Sequence, residues 1–214
     1  MPSTQANPPI DLDRITRAGA ELLEEVGLAR LSTRRLAEKL GIRSPTLYWH
    51  VANKAALLDL VAEYICADAF VIDAAQSWRD QLKSGLRQFR ALVVAHRDSA
   101  ELLRTRPASG PHRLGHIETT MRILSDAGFD DRETAGIAQL LSAYVLGSVA
   151  DREESALDQA ASPKPFVQLD GDLSDFPTIE RVLPAMVEMT EEEKFDLGVE
   201  ILVDGLAQRL NDRA

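Results

Sequence analysis

The apolar residues of this chain recur three and four positions apart along most of its length, and the strict alternation typical of strands is rare. The first stripe consists of Ile15, Ala18, Leu22, Leu23 and Val26. The glycine that follows can end a helix in a left-handed conformation. The pattern therefore predicts an all-α fold that begins with a helix of about sixteen residues.

Two very short helices are predicted next, separated by about four residues that include a glycine. The first has Ser32 or Thr33 as its N-cap and ends at Gly41. The second has Ser44 as its N-cap and Pro45 at the first helical position, where a missing N–H costs nothing. This arrangement predicts a helix-turn-helix, whose second helix enters the major groove of DNA.

Three consecutive rings, Tyr48, Trp49 and His50, follow in the second short helix. A core-facing stripe would space them three or four apart, so they cannot all point inward. We expect Leu47 and Val51 to anchor this helix in the core. The rings then pack on sugars or neighbouring side chains and direct their polar ends at phosphates.

The other expected DNA contacts surround these rings. Arg43, Ser44 and Thr46 lie at the N-terminal end of the reading helix, where side chains reach base edges. Arg34 is the best candidate for a bidentate contact to a guanine. Lys54 brings a cation and a helix N-terminus to a phosphate.

The charge distribution supports a DNA-binding face. The whole chain has a net charge of −10 and a pI of about 4.9, which argues against a general affinity for phosphates. Residues 30–54, however, hold six basic residues and the single acidic residue Glu38. A positive face on an acidic body predicts that the protein meets DNA in one orientation only.

The remaining sequence predicts longer helices and two irregular segments. Residues 1–10 are expected to form a disordered tail, and residues 155–175, rich in Pro, Asp and Ser, a mobile loop. The helices near 131–154 and 190–210 carry more apolar surface than one monomer covers, which predicts a homodimer built on a four-helix bundle. The predicted helices are 54–72, 78–96, 110–127, 131–154, 176–187 and 190–210.

Several classes of protein are excluded by what the sequence lacks. No apolar run approaches the length of a membrane-spanning helix, and the first residues do not form a secretory signal, so a cytoplasmic protein without membrane contact is expected. A single cysteine, Cys66, excludes an internal disulfide and is expected to be a buried thiol. We find no nucleophile paired with a base, no phosphate-binding glycine loop and no metal constellation, so neither an enzyme nor a cofactor is expected.

The stretch "STRRLAEKLGIRSPTLYWHVANKAALLD" closely resembles the DNA-binding signature of the tetracycline-repressor (TetR) family. The stretches "SWRDQLKSGLRQFRALVVAHRD", "TRP" at 105–107 and "YVLGSVADRE" resemble the tetracycline repressors themselves. The resemblance implies an all-helical homodimer that represses transcription at a palindromic operator and is released by a small-molecule inducer. It also implies a helix-turn-helix domain over 11–54 and a ligand-binding and dimerisation domain over 55–214.

The resemblance assigns DNA contacts to nine positions of this chain. One of them departs from the tetracycline repressors, because Ser44 stands where they have a longer amide that can reach adenine. A shorter side chain reads bases less selectively, so the operator sequence is expected to differ. The nine positions are Thr33, Arg34, Ser44, Pro45, Thr46, Tyr48, Trp49, His50 and Lys54.

The inducer site departs further from the family. Tetracycline repressors contact the drug through a His, an Asn and a Phe, and the corresponding residues here are Phe70, Gly85 and Phe89. Their metal-binding His is replaced by Leu102 or Leu103. Without an imidazole the ion loses its direct protein ligand, so we predict that this protein does not respond to magnesium-tetracycline.

The predicted pocket is mainly apolar, and its ligand is expected to be an apolar or aromatic molecule of modest size. Asp151 stands where the family places a carboxylate that helps to hold the hydrated magnesium. An activator, or a regulator that needs its ligand to bind DNA, stays an open alternative to a repressor. The predicted ligand residues are Phe70, Gly85, Phe89, Leu103, Met121 and Tyr144, with Thr105, Arg106, Pro107, His116 and Asp151 adding polar groups and the turn.

Overall fold

The computed structural model describes residues 11–68, 70–157 and 173–213, apart from the side chains of 150–157. These residues form ten α-helices and a short 3-10 turn, and no strand occurs among them. The predicted all-α fold is confirmed. The helices are α1 Leu12–Val26, α2 Thr33–Leu40, α3 Ser44–Tyr48, α4 Lys54–Ile65, α5 Trp78–Val94, α6 Ser99–Thr105, α7 Pro111–Asp126, α8 Asp131–Leu157, α9 Pro177–Glu188 and α10 Glu191–Asn211.

The helices differ from the predictions mainly in three places. The helix expected over 54–72 ends at Ile65, because the apolar residues after it leave its core and Ile72 packs in another one. The short helix α6 was not predicted, since its seven residues are too few for a recognisable period. The loop predicted over about 155–175 begins later than expected, because residues 155–157 belong to α8. The predicted tail (1–10) and the loop residues 158–172 lie outside the described residues.

The contacts between residues divide the chain into two units. The first comprises Met1–Ala69 and Val94–His116, and the second Phe70–Val93 and Ile117–Ala214. The first unit therefore holds α4 and α6 together with the helix-turn-helix, whereas the boundary predicted at residue 54 places them in the C-terminal domain. That functional boundary stays a prediction.

The first unit has an aliphatic core to which every one of its first four helices contributes. α1 packs against both α2 and α4. Asp98, which precedes α6, adopts a left-handed backbone (φ 53°) and its carboxylate accepts the N–H of Leu28 at 2.6 Å. Asp tolerates this conformation better than most residues. The fully buried core residues here include Ile15, Leu23, Leu31, Leu36, Val51, Leu57 and Val61.

The second unit is built around α5, α8 and α10. Its core joins aliphatic residues of these helices to Phe129 and Phe195, and Trp78 meets Phe129 edge-on at 6.0 Å between ring centroids. Thr190 and Glu193 form a capping box at the start of α10. None of the described helices is both long enough and apolar enough to cross a bilayer.

Candidate DNA interface and ligand site

The turn of the helix-turn-helix is made by Gly41. Its backbone is left-handed (φ 66°, ψ 31°), which glycine adopts without the steric cost of a Cβ. The N–H of Ile42 then donates to the carbonyl of Ala37 at 3.0 Å and closes the end of α2. Two residues later α3 begins. The left-handed Gly41 therefore turns the chain between the two short helices without a long loop.

The predicted cap of the reading helix is wrong by one residue. Arg43 occupies the N-cap position without a side-chain hydrogen bond, Ser44 is the first helical residue and Pro45 the second. Proline still loses nothing there, because the first N–H groups of a helix have no intrahelical partner. The hydroxyl of Ser44 is thus not committed to a cap.

The three consecutive rings are exposed, and the aliphatic residues on either side of them anchor the segment in the core, as predicted. Leu47 and Val51 are buried, at 1% and 0% exposure. The helix ends at Tyr48, which is 51% exposed, and Trp49 just beyond it is 89% exposed. His50 is exposed as well. An indole that loses so little surface to its own chain is available to a partner.

The basic residues of this module are not equivalent. Arg34 is exposed and forms a surface pair with Glu38 on the next turn, Nε to Oε1 3.1 Å. Lys39, in contrast, pairs with both Glu21 and Glu25 of α1, at 3.2 and 2.6 Å. The Arg34 pair therefore joins two exposed residues of α2, whereas Lys39 fastens α2 to α1.

Two of the predicted DNA contacts are the first residues of helices whose N-termini are capped. Thr33 is the first residue of α2, after Ser32, whose hydroxyl accepts the N–H of Arg35 at 3.3 Å. Lys54 is the first residue of α4, after Asn53, whose side chain accepts the N–H of Ala56 at 2.9 Å. The exposed members of the predicted DNA set are Arg34, Arg43, Pro45, Thr46, Tyr48, Trp49, His50 and Lys54.

Three of the predicted ligand residues come together in the second unit. The rings of Phe70 and Phe89 meet edge-on, 6.3 Å apart. A Cβ on Gly85 would lie 3.9 Å from Phe70, in ordinary van der Waals contact. The residues that replace the family's His and Asn are therefore neighbours of the retained Phe, and the surface they share is apolar.

Tyr144 and Met121 lie elsewhere in the second unit. Tyr144 stacks on Phe195 with the ring centroids 5.5 Å apart, and its hydroxyl donates to the Phe195 carbonyl at 2.8 Å. Burial raises the pKa of this phenol. Met121 is half-buried on α7. Asp151 lies in α8, but its side chain is outside the described residues.

The other predicted ligand residues belong to the first unit, and most of their polar groups have partners there. Leu103 is buried. The hydroxyl of Thr105 donates to the Glu101 carbonyl at 2.8 Å. His116 Nε2 lies 2.8 Å from the Asp68 carbonyl oxygen, and burial lowers the pKa of its imidazole.

Arg106 is committed to an ion pair. Its Nε and Nη2 donate to the two carboxylate oxygens of Asp59 on α4, both at 2.8 Å. Beside it, Arg113 donates to the carbonyls of Leu103, Arg106 and Pro107 at 2.8–3.1 Å. Sequence reasoning missed Asp59 and Arg113. In the sequence, Asp59 is visible only as a carboxylate on the helix that becomes α4, and Arg113 only as a basic residue outside any apolar pattern.

The residues present do not fit the family's magnesium ion. Leu102 and Leu103, the two candidates for the position of its imidazole ligand, are buried hydrocarbons at 0% and 5% exposure. Among the described residues, no group of three His, Cys, Asp or Glu side chains could hold a metal. Cys66 is buried as predicted, and burial raises its pKa to about 11, so the thiol stays protonated.

Comparison with known proteins covers both units. Residues 15–61 match "Bacterial regulatory proteins, tetR family", and residues 73–210 match "Tetracyclin repressor-like, C-terminal domain". The class A tetracycline repressor from transposon 1721 of Escherichia coli is 36% identical, over 91% of this chain and 89% of its own length.

Two solved structures are also similar. ActR from Streptomyces coelicolor in complex with actinorhodin has a TM-score of 0.81 and 30% identity, covering 94% of this chain and 98% of that one. BioQ with its natural double-stranded DNA operator has a TM-score of 0.70 and 28% identity, covering 93% and 99%.

Proposed function

Because the chain belongs to the tetR family of bacterial regulatory proteins, we propose that it represses transcription in the cytoplasm by binding a palindromic operator as a homodimer. The exposed face of the reading helix carries this proposal. Trp49 is 89% exposed, and Tyr48 before it is half-exposed. Leu47, the next residue towards the N-terminus, is buried in the core. A helix that enters a major groove needs such an exposed face, because its side chains contact the bases and the flanking phosphates.

A twofold arrangement is supported by the apolar surface of the two long helices. Leu140 of α8 and Leu197 and Ile201 of α10 are 52%, 51% and 62% exposed. A second copy that packs the same two helices against them would hide this surface in a four-helix bundle. Dimerisation also gives the two reading helices that a palindrome requires.

The inducer is proposed to be an apolar or aromatic molecule other than magnesium-tetracycline. The apolar contact of Phe70, Gly85 and Phe89 favours such a ligand, and the buried leucines at the position of the metal ligand disfavour the ion. ActR, which has a similar fold, was solved in complex with actinorhodin, a small molecule other than tetracycline. The polar groups of the site are proposed to orient this ligand, and no catalytic role is assigned to them.

The DNA-binding proposal is tested with operator fragments selected from a randomised duplex library by the purified protein. We expect a palindromic consensus and a retarded complex with two protomers in an electrophoretic shift. Arg34→Ala and Tyr48→Ala should each weaken this complex at least tenfold, about the loss of one good base or phosphate contact. Arg132→Ala, an exposed arginine of α8, is the matched control. No selected consensus, or equal affinity in all variants, contradicts the proposal.

The ligand is tested on the same complex. Tetracycline with Mg²⁺, minocycline with Mg²⁺ and actinorhodin are titrated into the protein–operator complex. Release by tetracycline only when Mg²⁺ is present would refute the assignment of an apolar, metal-free ligand. A reporter gene behind the selected operator distinguishes repression, in which the protein lowers expression, from activation.

A further inference from the structure

Glu63 of α4 caps the N-terminus of α7. Its two carboxylate oxygens accept the N–H groups of His112 and Arg113, the latter at 3.3 Å. The first N–H groups of a helix have no intrahelical partner and usually bind a side chain from just before the helix. Here a carboxylate from a different helix takes that role, and its negative charge suits the positive end of the helix dipole.

Gly110, immediately before α7, makes room for this carboxylate. A Cβ at position 110 would overlap the Glu63 carboxyl group, which supplies the three heavy atoms nearest to it. The space beside Gly110 is therefore filled by the far end of the Glu63 side chain, which a side chain at position 110 would displace, and the backbone here is not left-handed. The pair Glu63 and Gly110 forms a single structural feature.

A second carboxylate holds the other end of the same turn. Asp59 lies one helical turn before Glu63, on the same face of α4, and binds Arg106 at the end of α6 through two hydrogen bonds of 2.8 Å. Arg113 connects the start of α7 to the end of α6, because its guanidinium donates to the carbonyls of Leu103 and Arg106 at 3.1 and 2.8 Å. Residues 106–113 are thus attached to α4 at both ends.

We propose that Glu63 is a positioning residue that makes the turn between α6 and α7 move together with α4. The turn carries Thr105, Arg106 and Pro107, which are predicted ligand residues, and α4 begins at Lys54, which is a predicted DNA contact. A ligand that displaces the turn then pulls on α4 through the Glu63 cap as well as through Asp59. This transmission rests on the proposed function, whereas the cap itself does not.

The cap is tested by residue-resolved amide hydrogen exchange on the full-length protein without ligand. In Glu63→Ala the amides of His112 and Arg113 should exchange about tenfold faster, the loss expected for a helix cap. Glu63→Gln keeps only one acceptor oxygen and should protect only one of the two amides. Glu118→Gln, an exposed carboxylate on α7, is the control. Unchanged rates for both amides in Glu63→Ala overturn the proposal.

A mutant cycle separates the specific contact from a general loss of stability. Gly110→Ala should accelerate the same two amides in the wild-type background, because the new Cβ displaces the carboxylate. In the Glu63→Ala background this effect should be lost, since the three atoms nearest to a Cβ at position 110 all belong to Glu63. An equal effect of Gly110→Ala in both backgrounds contradicts the assignment.

Transmission is tested with the selected operator duplex as the probe. Binding of the duplex should change the exchange of Arg106 and Ala108 in the wild type by at least threefold, and this change should be lost in Glu63→Ala. A response that persists in Glu63→Ala would refute the coupling role and leave the cap intact. A protein that binds no duplex refutes the proposed function, and the two exchange experiments above still decide whether Glu63 caps α7.

Discussion

Arg106 and Asp59 meet as a two-pronged ion pair, with Nε and Nη2 each 2.8 Å from a different carboxylate oxygen. Arg106 is therefore occupied within its own unit, although it was predicted to contact the inducer. Both side chains are partly exposed, at 26% and 34%, so solvent screens their attraction.

This ion pair predicts a modest coupling energy. A double-mutant cycle with Asp59→Asn and Arg106→Gln should give about 1 kcal/mol in the free energy of unfolding, more than a fully exposed pair because the geometry is bidentate. The same cycle on Arg104 and Glu101, an exposed i,i+3 pair, provides the comparison. If the two cycles give equal coupling energies in urea unfolding, the bidentate geometry adds nothing.

Gly198 is predicted to be required by Tyr144. A Cβ on Gly198 would overlap the phenol ring, whose hydroxyl is fixed on the carbonyl of Phe195. Gly198→Ala should therefore destabilise the protein by about 1–3 kcal/mol, the usual cost of overpacking. In contrast, Gly115→Ala in α7 meets no atom and should gain about 0.5–1 kcal/mol from helix propensity. Thermal unfolding of both variants checks the opposite signs.

The sequence predicted the helix-turn-helix well because its determinants are local. Gly41 needs only its own backbone conformation to end α2, and Leu47 and Val51 reveal the buried face by their spacing. Most of the longer helices also follow from periodicity alone. Their ends were less secure, as the early end of α4 at Ile65 illustrates.

What could not be predicted depends on residues far apart in the chain. Nothing near Gly110 indicates that a carboxylate 47 residues earlier will fill the space beside it. The role of Gly198 is similarly hidden, because the ring beside it belongs to Tyr144, which is 54 residues earlier in the chain. Such contacts follow from the packing of whole helices and leave no periodic pattern.

Glu133 is predicted to make stability depend on acid pH. It is bound by Arg209 at 2.8 Å and by Arg213, and these guanidinium groups lower its pKa from 4.5 to about 2. A depressed pKa gives stability that is complete above about pH 4.5 and disappears as the pH falls through 2.

The prediction therefore concerns the difference in unfolding temperature between the wild type and Glu133→Gln. Wild type should unfold at a higher temperature than Glu133→Gln at pH 6, and the gap should close between pH 4.5 and 2. Because other carboxylates titrate in the same range, the difference is measured against Glu180→Gln, an exposed glutamate of α9. A gap that is constant from pH 6 to pH 2 would show that the charge of Glu133 is not involved.

Lys39 and Lys54 are predicted to differ in their effect on DNA binding although both lie in the basic segment. Lys39 binds Glu25 and Glu21 of α1, and its hydrogen bond to the Glu25 carboxylate raises its pKa, so its positive charge is balanced within the module. Lys54 is exposed at the start of α4 and pairs with no acid among the described residues. A lysine that replaces counterions at a phosphate contributes about one unit to the slope of log K against log salt.

Lys54→Ala should therefore reduce that slope by about 1 and leave the free energy of unfolding nearly unchanged. Lys39→Ala should do the opposite, with an unaltered slope and a loss of about 0.5–1 kcal/mol from the broken surface pairs. Fluorescence anisotropy of a labelled operator between 50 and 200 mM salt measures the slope, over the range in which counterion release is large. Equal slopes for the two variants would mean that local charge, and not the pairing within the module, decides which lysines meet the DNA.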